Sequence, residues 1–344
     1  MKIIFFTDRY DLGGVSNVLT SLARAFEEEL GAQIVFVELF PSLHSDAMAG
    51  FKIKSVYKKK GLFWRVFKRF LHLGLRRFFA EENADLIISA KCPMNIMAIR
   101  SRPKCPLIIS EHGQRSAIKK KLQRLQNALY PRADALVLLT NSASSDYSLD
   151  NKVVIANLLS FPELDFAKEK IVFICSRLAG EKGIDVLIEA LKSVDLRGFR
   201  VLVAGPGEFL EELKTMSKGL DVEFLGALGQ REVYEHYSRA RIFFFHSYTE
   251  GLPTTLIEAA HFGCARVVSG GVPGVLELVE HEKNALVYEM GQAKAAALAL
   301  QRLIDDEYLE KELRHNAKGL CASFSRQSIL PKWLELFKRL GVLA

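Results

Sequence analysis

The chain has 344 residues, of which 49% are hydrophobic and 25% charged, a balance typical of a globular protein with a large core. This length fits about two domains of ordinary size. No apolar run approaches the roughly 20 residues that span a bilayer, and the apolar start, Lys2–Phe6, is too short for the core of a signal peptide. The five cysteines are odd in number and lack metal-type spacing, so we expect a reduced, cytosolic setting.

The net charge of +7 is unevenly distributed along the chain. Residues 1–165 carry 24 Lys/Arg and 16 Asp/Glu, whereas the remainder carries 23 and 24. The excess is greatest between Lys52 and Arg77, where ten basic residues occur and no acidic ones. This asymmetry predicts an anionic partner for the first half.

The chain begins with a strand–loop–helix pattern. We expect a parallel strand over Lys2–Phe6, a helix over Val15–Leu30 and a second strand over Gln33–Leu39. The paired glycines Gly13-Gly14 would let backbone amides approach a phosphate or a sugar. Their spacing is not that of a dinucleotide-binding fingerprint, and a tight turn between strand and helix is the alternative.

Residues 52–79 combine basic and aromatic residues at helical spacing. The cations on one face are Arg65, Lys68, Arg69, His72 and Arg76. The apolar residues on another face are Phe63, Val66, Phe67, Phe70 and Leu73. Such a helix can lie in an anionic membrane surface, and the alternative is a domain helix with a solvated basic face. We find no nucleic-acid motif and expect no nucleic-acid partner.

A histidine follows one of the next predicted strands, which are Ala84–Ala90 and Pro106–Ser110. Because ligands bind at the carboxyl edge of an open parallel sheet, His112 could contact a sugar hydroxyl or move a proton. A local hydrogen bond is the alternative. The helical cluster of Arg115, Lys119, Lys120, Lys121 and Arg124 would add to an acceptor surface or be a solvated face. Further strands are expected over Asp134–Leu139 and Lys152–Ile155, and a linker over Asn157–Glu169.

The β/α rhythm restarts with a strand over Lys170–Cys175. Arg177 and Lys182 lie in the following loop, beside the start of a predicted helix. Two cations next to helix amides can hold a diphosphate, and a solvated surface is the alternative. Three more strands are expected over Val201–Ala204, Val222–Leu225 and Arg266–Ser269, and a helix around Arg231–Tyr237. Glycine-rich loops follow the first and third of these strands, and an amphipathic helix is expected over Ser325–Leu340.

The most informative stretch runs from a buried strand, Ile242–His246, through a loop into a helix. Pro253 suits the first helical turn, and Gly263 suits the helix end. Glu250 lies on the loop and Glu258 about a turn and a half into the helix. Both carboxylates can flank a ligand at the helix N-terminus, where a sugar diphosphate offers an anion and hydroxyls. Two solvated glutamates are the alternative.

Together these motifs resemble the retaining, nucleotide-sugar-dependent glycosyltransferases of family 4, which have the GT-B fold. The resemblance covers the whole chain and is most specific within residues 170–290. It rests on Ser176-Arg177-Leu178 with Lys182-Gly183, Val203-Ala204-Gly205-Pro206-Gly207, Glu250-Gly-Leu-Pro-Thr-Thr-Leu-Ile-Glu258-Ala259 and Gly270-Gly-Val-Pro-Gly274. Gly13-Gly14 and Glu111-His112 resemble the family's acceptor-domain motifs.

The resemblance implies an α/β architecture of two doubly wound, Rossmann-like domains facing across a cleft. Residues 1–160 would form the acceptor-binding domain and residues 161–324 the donor-binding domain. Residues 325–344 would form a C-terminal helix that packs back on the first domain.

It also implies roles for individual residues. Arg177 and Lys182 would bind the donor diphosphate and stabilise the leaving phosphate, and Glu258 would bind the ribose hydroxyls. Glu250 and His112 would contact the donor sugar. The other donor-binding residues would be Gly14, Gly205, Gly251, Leu252, Pro253, Thr254 and Thr255. Gly274 stands where the family often has glutamate, so no role passes to it.

We therefore expect a retaining glycosyltransferase that moves a hexose or N-acetylhexosamine from a nucleotide diphosphate sugar, with UDP the commonest carrier in the family. The acceptor would be a lipid-linked glycan, lipopolysaccharide or polysaccharide intermediate. No Asp-x-Asp element is present, so we expect no metal and no other cofactor. The enzyme would lie in the cytoplasm, peripheral to the inner face of the membrane. A nucleotide-sugar epimerase and a non-catalytic binding module are the alternatives.

Overall fold

The computed structural model describes residues 1–10, 14–41, 50–58 and 70–343. The chain divides into two compact units, Met1–Ser160 with Phe324–Ala344, and Phe161–Ser323. Gly13 and residues 59–69, which the sequence analysis singled out, lie outside the described residues.

Each unit contains a parallel sheet, seven-stranded in the first and six-stranded in the second, within the described residues. The strands are β1 (Lys2–Thr7), β2 (Gln33–Glu38), β3 (Lys52–Ser55), β4 (Leu86–Ala90), β5 (Leu107–Glu111), β6 (Ala135–Leu138), β7 (Lys152–Val154), β8 (Glu169–Cys175), β9 (Arg200–Ala204), β10 (Val222–Gly226), β11 (Ala240–Phe245), β12 (Ala265–Ser269) and β13 (Leu286–Tyr288). Their orders are β3-β2-β1-β4-β5-β6-β7 and β10-β9-β8-β11-β12-β13.

Helices connect the strands. They are α1 (Gly14–Leu30), α2 (Leu71–Glu82), α3 (Met94–Ser101), α4 (Lys120–Leu129), α5 (Asn141–Ser145), α6 (Ile184–Leu191), α7 (Leu210–Met216), α8 (Gln230–Arg239), α9 (Thr254–His261), α10 (Pro273–Leu276), α11 (Ala293–Asp305), α12 (Glu307–Ala317) and α13 (Arg326–Arg339). Short 3-10 turns occur at Arg115–Ala117, Tyr130–Arg132, Gly180–Lys182 and Lys318–Phe324. In the part of the chain that the structure describes, none of the helices is both long and apolar enough to cross a bilayer.

The central strands of both sheets are buried on both faces, which is why they are nearly continuous apolar runs. In β1, Ile3 and Phe5 pack into one cluster while Ile4 and Phe6 pack into another on the opposite face. The first cluster includes α1 and α13, where Phe337 lies 5.0 Å from Phe26 between ring centroids. The C-terminal helix is therefore part of the first unit's core.

The expected two-domain α/β architecture is confirmed. Two strands were not predicted, β3 and β13. Both are short edge strands, and β3 has the sequence Lys-Ile-Lys-Ser with no residue fully buried. Neither presents the long apolar run by which buried parallel strands are recognised.

Candidate functional site in the second unit

The strand order of the second sheet reverses between β8 and β11, which pair in parallel. Ligands of open α/β sheets bind outside the carboxyl ends of the strands at such a reversal. The loops that follow these two strands carry Arg177 and Lys182 on one side and Glu250 on the other. The topology thus places the predicted donor-binding loops at the same sheet edge.

Lys182 and Glu250 are in direct contact. The Nζ of Lys182 donates a hydrogen bond to Oε1 of Glu250 and forms an ion pair with it. Only 16% of the Lys182 side chain and 15% of the Glu250 side chain are exposed, so both charges are largely removed from water. Two residues separated by 68 positions, predicted to share a site, are brought together.

The same two loops are joined through their backbones. The N–H of Tyr248 donates to the carbonyl of Glu181 at 2.9 Å, and the His246 ring lies 3.4 Å from the carbonyl oxygen of Lys182. Gly183 has a φ of +58°, and a Cβ there would lie 2.2 Å from Nδ1 of His246. His246 was not predicted as a functional residue, because in the sequence it is only the last residue of an apolar strand.

Arg177 occupies a different position from Lys182. Its guanidinium is 63% exposed and pairs with Glu181 four residues later, at 2.7 Å. An exposed pair of this kind contributes little to stability because water and salt screen it. Arg177 is therefore held on its own loop by a partner that is easily exchanged.

The helix α9 begins directly after the loop that carries Glu250. Pro253 is its N-cap rather than its first helical residue, which corrects the expected position by one residue. Leu252 and Pro253 are buried, whereas Gly251, Thr254 and Thr255 are half-buried. Gly263 follows the C-cap with a φ of +69°, the left-handed conformation that ends many helices.

Glu258 projects from α9 and is only 8% exposed. Burial raises the pKa of its carboxyl to about 7, because the charged form loses hydration, and hydrogen bonds from Thr254 and Tyr237 act in the opposite direction. A carboxylate with a pKa this close to neutrality changes its charge readily when a ligand arrives.

Glycines allow the site loops to approach one another. A Cβ at Gly205 would lie 1.8 Å from the carbonyl oxygen of Ser176, and one at Gly207 would lie 2.0 Å from that of Leu178. These contacts pack the loop after β9 against the loop after β8.

A third glycine has the same function between α10 and the Glu250 loop. A Cβ at Gly274 would lie 2.0 Å from the carbonyl oxygen of Gly251, so a glutamate cannot occupy this position without displacing that backbone. This overlap explains why the chain has glycine at position 274, where the family often has glutamate.

In the first unit, His112 follows β5 and Gly14 is the first residue of α1. The Nε2 of His112 is 3.0 Å from Oγ of Ser110. Burial, with a smaller effect of Lys91, lowers the pKa of His112 to about 3. The imidazole is therefore neutral near pH 7 and can act as a hydrogen-bonding group, but not as a charged acid.

Glu111 is buried beside His112. It accepts hydrogen bonds from Asn95 Nδ2 at 2.9 Å, from the Cys92 N–H at 3.3 Å and from the Tyr130 hydroxyl. Burial raises the pKa of the Glu111 carboxyl, and these donors oppose the rise. The carboxyl fixes the backbone at the end of β5, from which His112 extends.

No cluster of three or more His, Cys, Asp or Glu side chains that could hold a metal ion occurs within residues 1–10, 14–41, 50–58 and 70–343. The charge opposite a bound anion in the second unit would come from the side chains of Arg177 and Lys182.

Comparison with known proteins identifies the family and the fold. Residues 158–320 match the family described as glycosyl transferases group 1, and residues 12–150 match glycosyltransferase family 4. The structure of HepE from Anabaena, solved in complex with UDP and glucose, superimposes with a TM-score of 0.79 at 17% identity, covering 98% of this chain and all of that one. This likeness shows the fold.

Two curated relatives are similar in sequence. A Campylobacter jejuni enzyme is 30% identical over 98% of both chains and is named GalNAc-α-(1→4)-GalNAc-α-(1→3)-diNAcBac-PP-undecaprenol α-1,4-N-acetyl-D-galactosaminyltransferase. The amylovoran biosynthesis glycosyltransferase AmsD of Erwinia amylovora is 24% identical over 79% of this chain and 82% of its own. This chain belongs to the family 4, group 1 glycosyltransferases and is a glycosyltransferase with the GT-B fold.

Proposed function

We propose that this enzyme transfers a hexose or N-acetylhexosamine from a UDP-sugar to a lipid-linked glycan intermediate of polysaccharide or lipopolysaccharide synthesis, with retention of anomeric configuration. The observation that carries the donor half is the contact of Lys182 with Glu250 at the reversal of the second sheet, with Glu258 buried on the adjoining helix.

The donor diphosphate would be held by Lys182 and Arg177. Arg177 would exchange Glu181, its exposed partner, for a phosphate oxygen, with which a guanidinium forms bidentate hydrogen bonds. Lys182, further along the same loop, would bind the same diphosphate while Glu250 turns to hydroxyls of the sugar. Glu258 would accept hydrogen bonds from the ribose.

During transfer the bond between the anomeric carbon and the β-phosphate oxygen breaks, and its electron pair stays on that oxygen. Fixed cations near the developing charge stabilise this transition state more than the ground state. Lys182 and Arg177 supply that charge, and for this reason we propose that neither a metal nor another cofactor is needed. Neutral His112 and the backbone at Gly14 would contact the sugar and the phosphate from the first unit.

Relatives support the substrate classes. The Campylobacter relative is named for an N-acetylgalactosamine transfer to an undecaprenyl diphosphate glycan, and the Anabaena neighbour was solved with UDP. The basic first half, with ten cations between Lys52 and Arg77, suits an acceptor that carries a diphosphate on a lipid.

The same basic segment, residues 52–79, would place the enzyme peripherally on the anionic inner face of the cell membrane. Its described helix, α2, buries Leu71, Leu75 and Phe79 in the core and exposes Leu73 and Arg76. The apolar and basic side chains that remain outside are those that an interfacial helix uses.

The experiment is a transfer assay with UDP-, GDP- and ADP-sugars, a short-chain polyprenyl diphosphate glycan, and EDTA in one arm. Arg177→Ala is compared with Arg231→Ala, because Arg231 is also exposed and also pairs with a glutamate four residues later. We expect UDP-sugar-dependent product in EDTA, reduced on the order of 100-fold in Arg177→Ala and unchanged in Arg231→Ala.

Product anomericity is read by NMR, and an inverted linkage would contradict retention. Conversion of the donor to a new sugar nucleotide without acceptor would favour an epimerase. Donor binding without turnover on any acceptor of the panel would favour a non-catalytic module.

A further inference from the structure

A groove in the first unit, separate from the residues assigned to the donor, combines cations with apolar side chains. It has a volume of about 600 Å³ and is lined by parts of α2, the end of α3 and the 3-10 turn at Tyr130–Arg132. Its basic lining residues are His72, Arg76, Arg100, Arg102 and Arg132. The positive charge of the four arginines makes the groove a candidate site for an anion.

Among the residues that the structure describes, no carboxylate lies within ion-pair distance of Arg76, Arg100, Arg102 or Arg132, whereas the neighbouring Arg77 pairs with Glu81 at 2.8 Å. The acidic lining residue, Asp134, accepts a hydrogen bond from the N–H of Leu107 at 2.7 Å. The four guanidinium groups outnumber the Asp134 carboxylate, so the groove keeps a net positive charge.

The favourable interaction of a cation with the C-terminal end of a helix explains the position of only part of this arginine cluster. Arg100 lies in the last turn of α3, where a cation interacts favourably with the helix dipole. Arg102 is the C-cap with a φ of +49°, a conformation that glycine or asparagine adopts more easily. Arg76 and Arg132 come from other elements, so the convergence of four guanidinium groups is not a property of one helix end.

The groove also has an apolar rim and floor. Phe70 and Leu73, at the start of α2, are 54% and 52% exposed, and both line the groove. Ile99 and Leu129 form part of the floor and are buried. The cations alone would be sufficient to bind a small soluble anion. Cations beside exposed apolar side chains match a bilayer interface, where phosphates lie next to acyl chains.

We infer that this groove binds the phosphate headgroups of anionic phospholipids, with Phe70 and Leu73 at the acyl boundary. The inference rests on the proposed membrane association and deepens it, because it assigns the headgroup contact to Arg100, Arg102 and Arg132, which lie outside the basic segment 52–79. The groove would then hold the first unit on the membrane that carries the lipid-linked acceptor.

The test is co-sedimentation of the full-length enzyme with vesicles of phosphatidylcholine, with or without phosphatidylglycerol. The variant is Arg100→Gln/Arg102→Gln, and the control is Lys192→Gln/Lys214→Gln, which removes the same net charge from exposed positions of the second unit. Thermal unfolding of each variant checks the fold. Lys104→Gln, at an exposed position next in sequence to the lining residues Pro103 and Cys105, tests a neighbouring charge that does not line the groove.

A headgroup contact contributes about fivefold to the partition coefficient for each basic residue near the surface. We expect partitioning into phosphatidylglycerol vesicles to fall about 25-fold in Arg100→Gln/Arg102→Gln and to be unchanged in both controls. Equal binding by all variants, or equal binding to vesicles without phosphatidylglycerol, would overturn the inference.

The vesicle-binding test of the groove and the transfer test of the proposed function can fail independently of each other. Transfer to a short-chain, water-soluble acceptor does not require vesicles, so it should be the same in the groove variant and the wild type. Failure of transfer by every variant, with selective vesicle binding intact, would contradict the proposed function and leave the groove assignment standing.

Discussion

His246 contacts both the loop that carries Lys182 and the loop after β13. Its Nε2 accepts a hydrogen bond from the N–H of Gly291 at 3.1 Å, so the ring proton is on Nδ1 and points to the Lys182 carbonyl, 3.4 Å away. A neutral imidazole satisfies both contacts, and burial lowers the pKa of His246 accordingly. We regard His246 as a positioning residue for Lys182.

The substitution His246→Ala should lower the free energy of unfolding by about 1–3 kcal/mol, because two buried hydrogen bonds lose a partner. It should also raise KM for the donor at temperatures far below unfolding. His315→Ala, at an exposed position of α12, is the matched control. Lower stability with an unchanged donor KM would show that the ring only supports the fold.

The pH dependence of stability provides a second measurement on His246. The folded-state pKa lies below the ordinary value, so the unfolded chain takes up a proton first as pH falls. The contribution of His246 is therefore present above about pH 6.5 and is lost below it. Thermal unfolding measured between pH 5 and 8 should therefore show that stability falls less steeply toward acid pH in His246→Ala than in the wild type.

Replacement of Lys182 by alanine should reduce kcat/KM on the order of 100- to 1,000-fold, the usual effect of removing one group that stabilises a developing oxyanion. The variant also leaves Glu250 largely buried without its cation. Lys192→Ala, which removes an exposed lysine paired with Glu189, is the control. Steady-state transfer kinetics with a saturating acceptor measure the effect, and near-normal turnover would exclude Lys182 from the leaving-group site.

Binding of the nucleotide should strengthen as pH rises through about 7. Burial raises the pKa of Glu258 to that value, and only the ionised carboxylate can accept hydrogen bonds from both ribose hydroxyls. Calorimetric titration of a UDP-sugar between pH 6 and 8 measures the dependence, because its diphosphate is esterified at both ends and does not itself titrate in this interval. Glu258→Gln should bind more weakly and with a flat profile; an equally steep profile in this variant would assign the titration to another group.

The raised pKa of Glu258 also predicts that the stability contributed by this residue falls as pH rises, whereas nucleotide binding strengthens. A carboxyl whose folded-state pKa exceeds that of the unfolded chain contributes stability at low pH that is lost as pH rises from about 4.5 to about 7. We expect Glu258→Gln to lose less stability than the wild type over this interval. Chemical unfolding at pH 5 and pH 8 gives the comparison.

Gly274→Ala should reduce transfer because its Cβ would lie 2.0 Å from the Gly251 carbonyl oxygen, and the Glu250 loop must move to relieve the overlap. Overpacking of this kind costs about 1–3 kcal/mol. Gly319→Ala is the control, since a Cβ there has no neighbour within 4 Å. Full activity of Gly274→Ala would mean that the loop tolerates displacement.

The apolar periodicity predicted most of the sheet strands because parallel strands buried on both faces leave a continuous signal. It could not predict β3, where lysines alternate along an edge strand. The residue types at Arg177, Lys182, Glu250 and Glu258 predicted a donor site, since an anion and hydroxyls require cations and carboxylates, and the structure brings Lys182 and Glu250 into contact.

Contacts between distant loops were not predictable. Nothing in the sequence around His246 indicates that its ring lies against Gly183, 63 residues earlier. The overlap that excludes a side chain at Gly274 depends on where the backbone of Gly251 runs. Both contacts depend on how the loops pack in three dimensions, which the order of residue types along the chain does not reveal.

If Lys182 and Glu250 form the donor site as proposed, their ion pair means that each group is the counter-charge of the other until a ligand binds. A complete sugar nucleotide compensates both groups, the diphosphate replacing the carboxylate and the sugar hydroxyls replacing the ammonium. After transfer, the remaining nucleoside diphosphate compensates only Lys182 and must compete with an internal carboxylate that has lost its ligand. On this proposal, the site would bind the intact sugar nucleotide more tightly than the nucleoside diphosphate, which would assist release of the product.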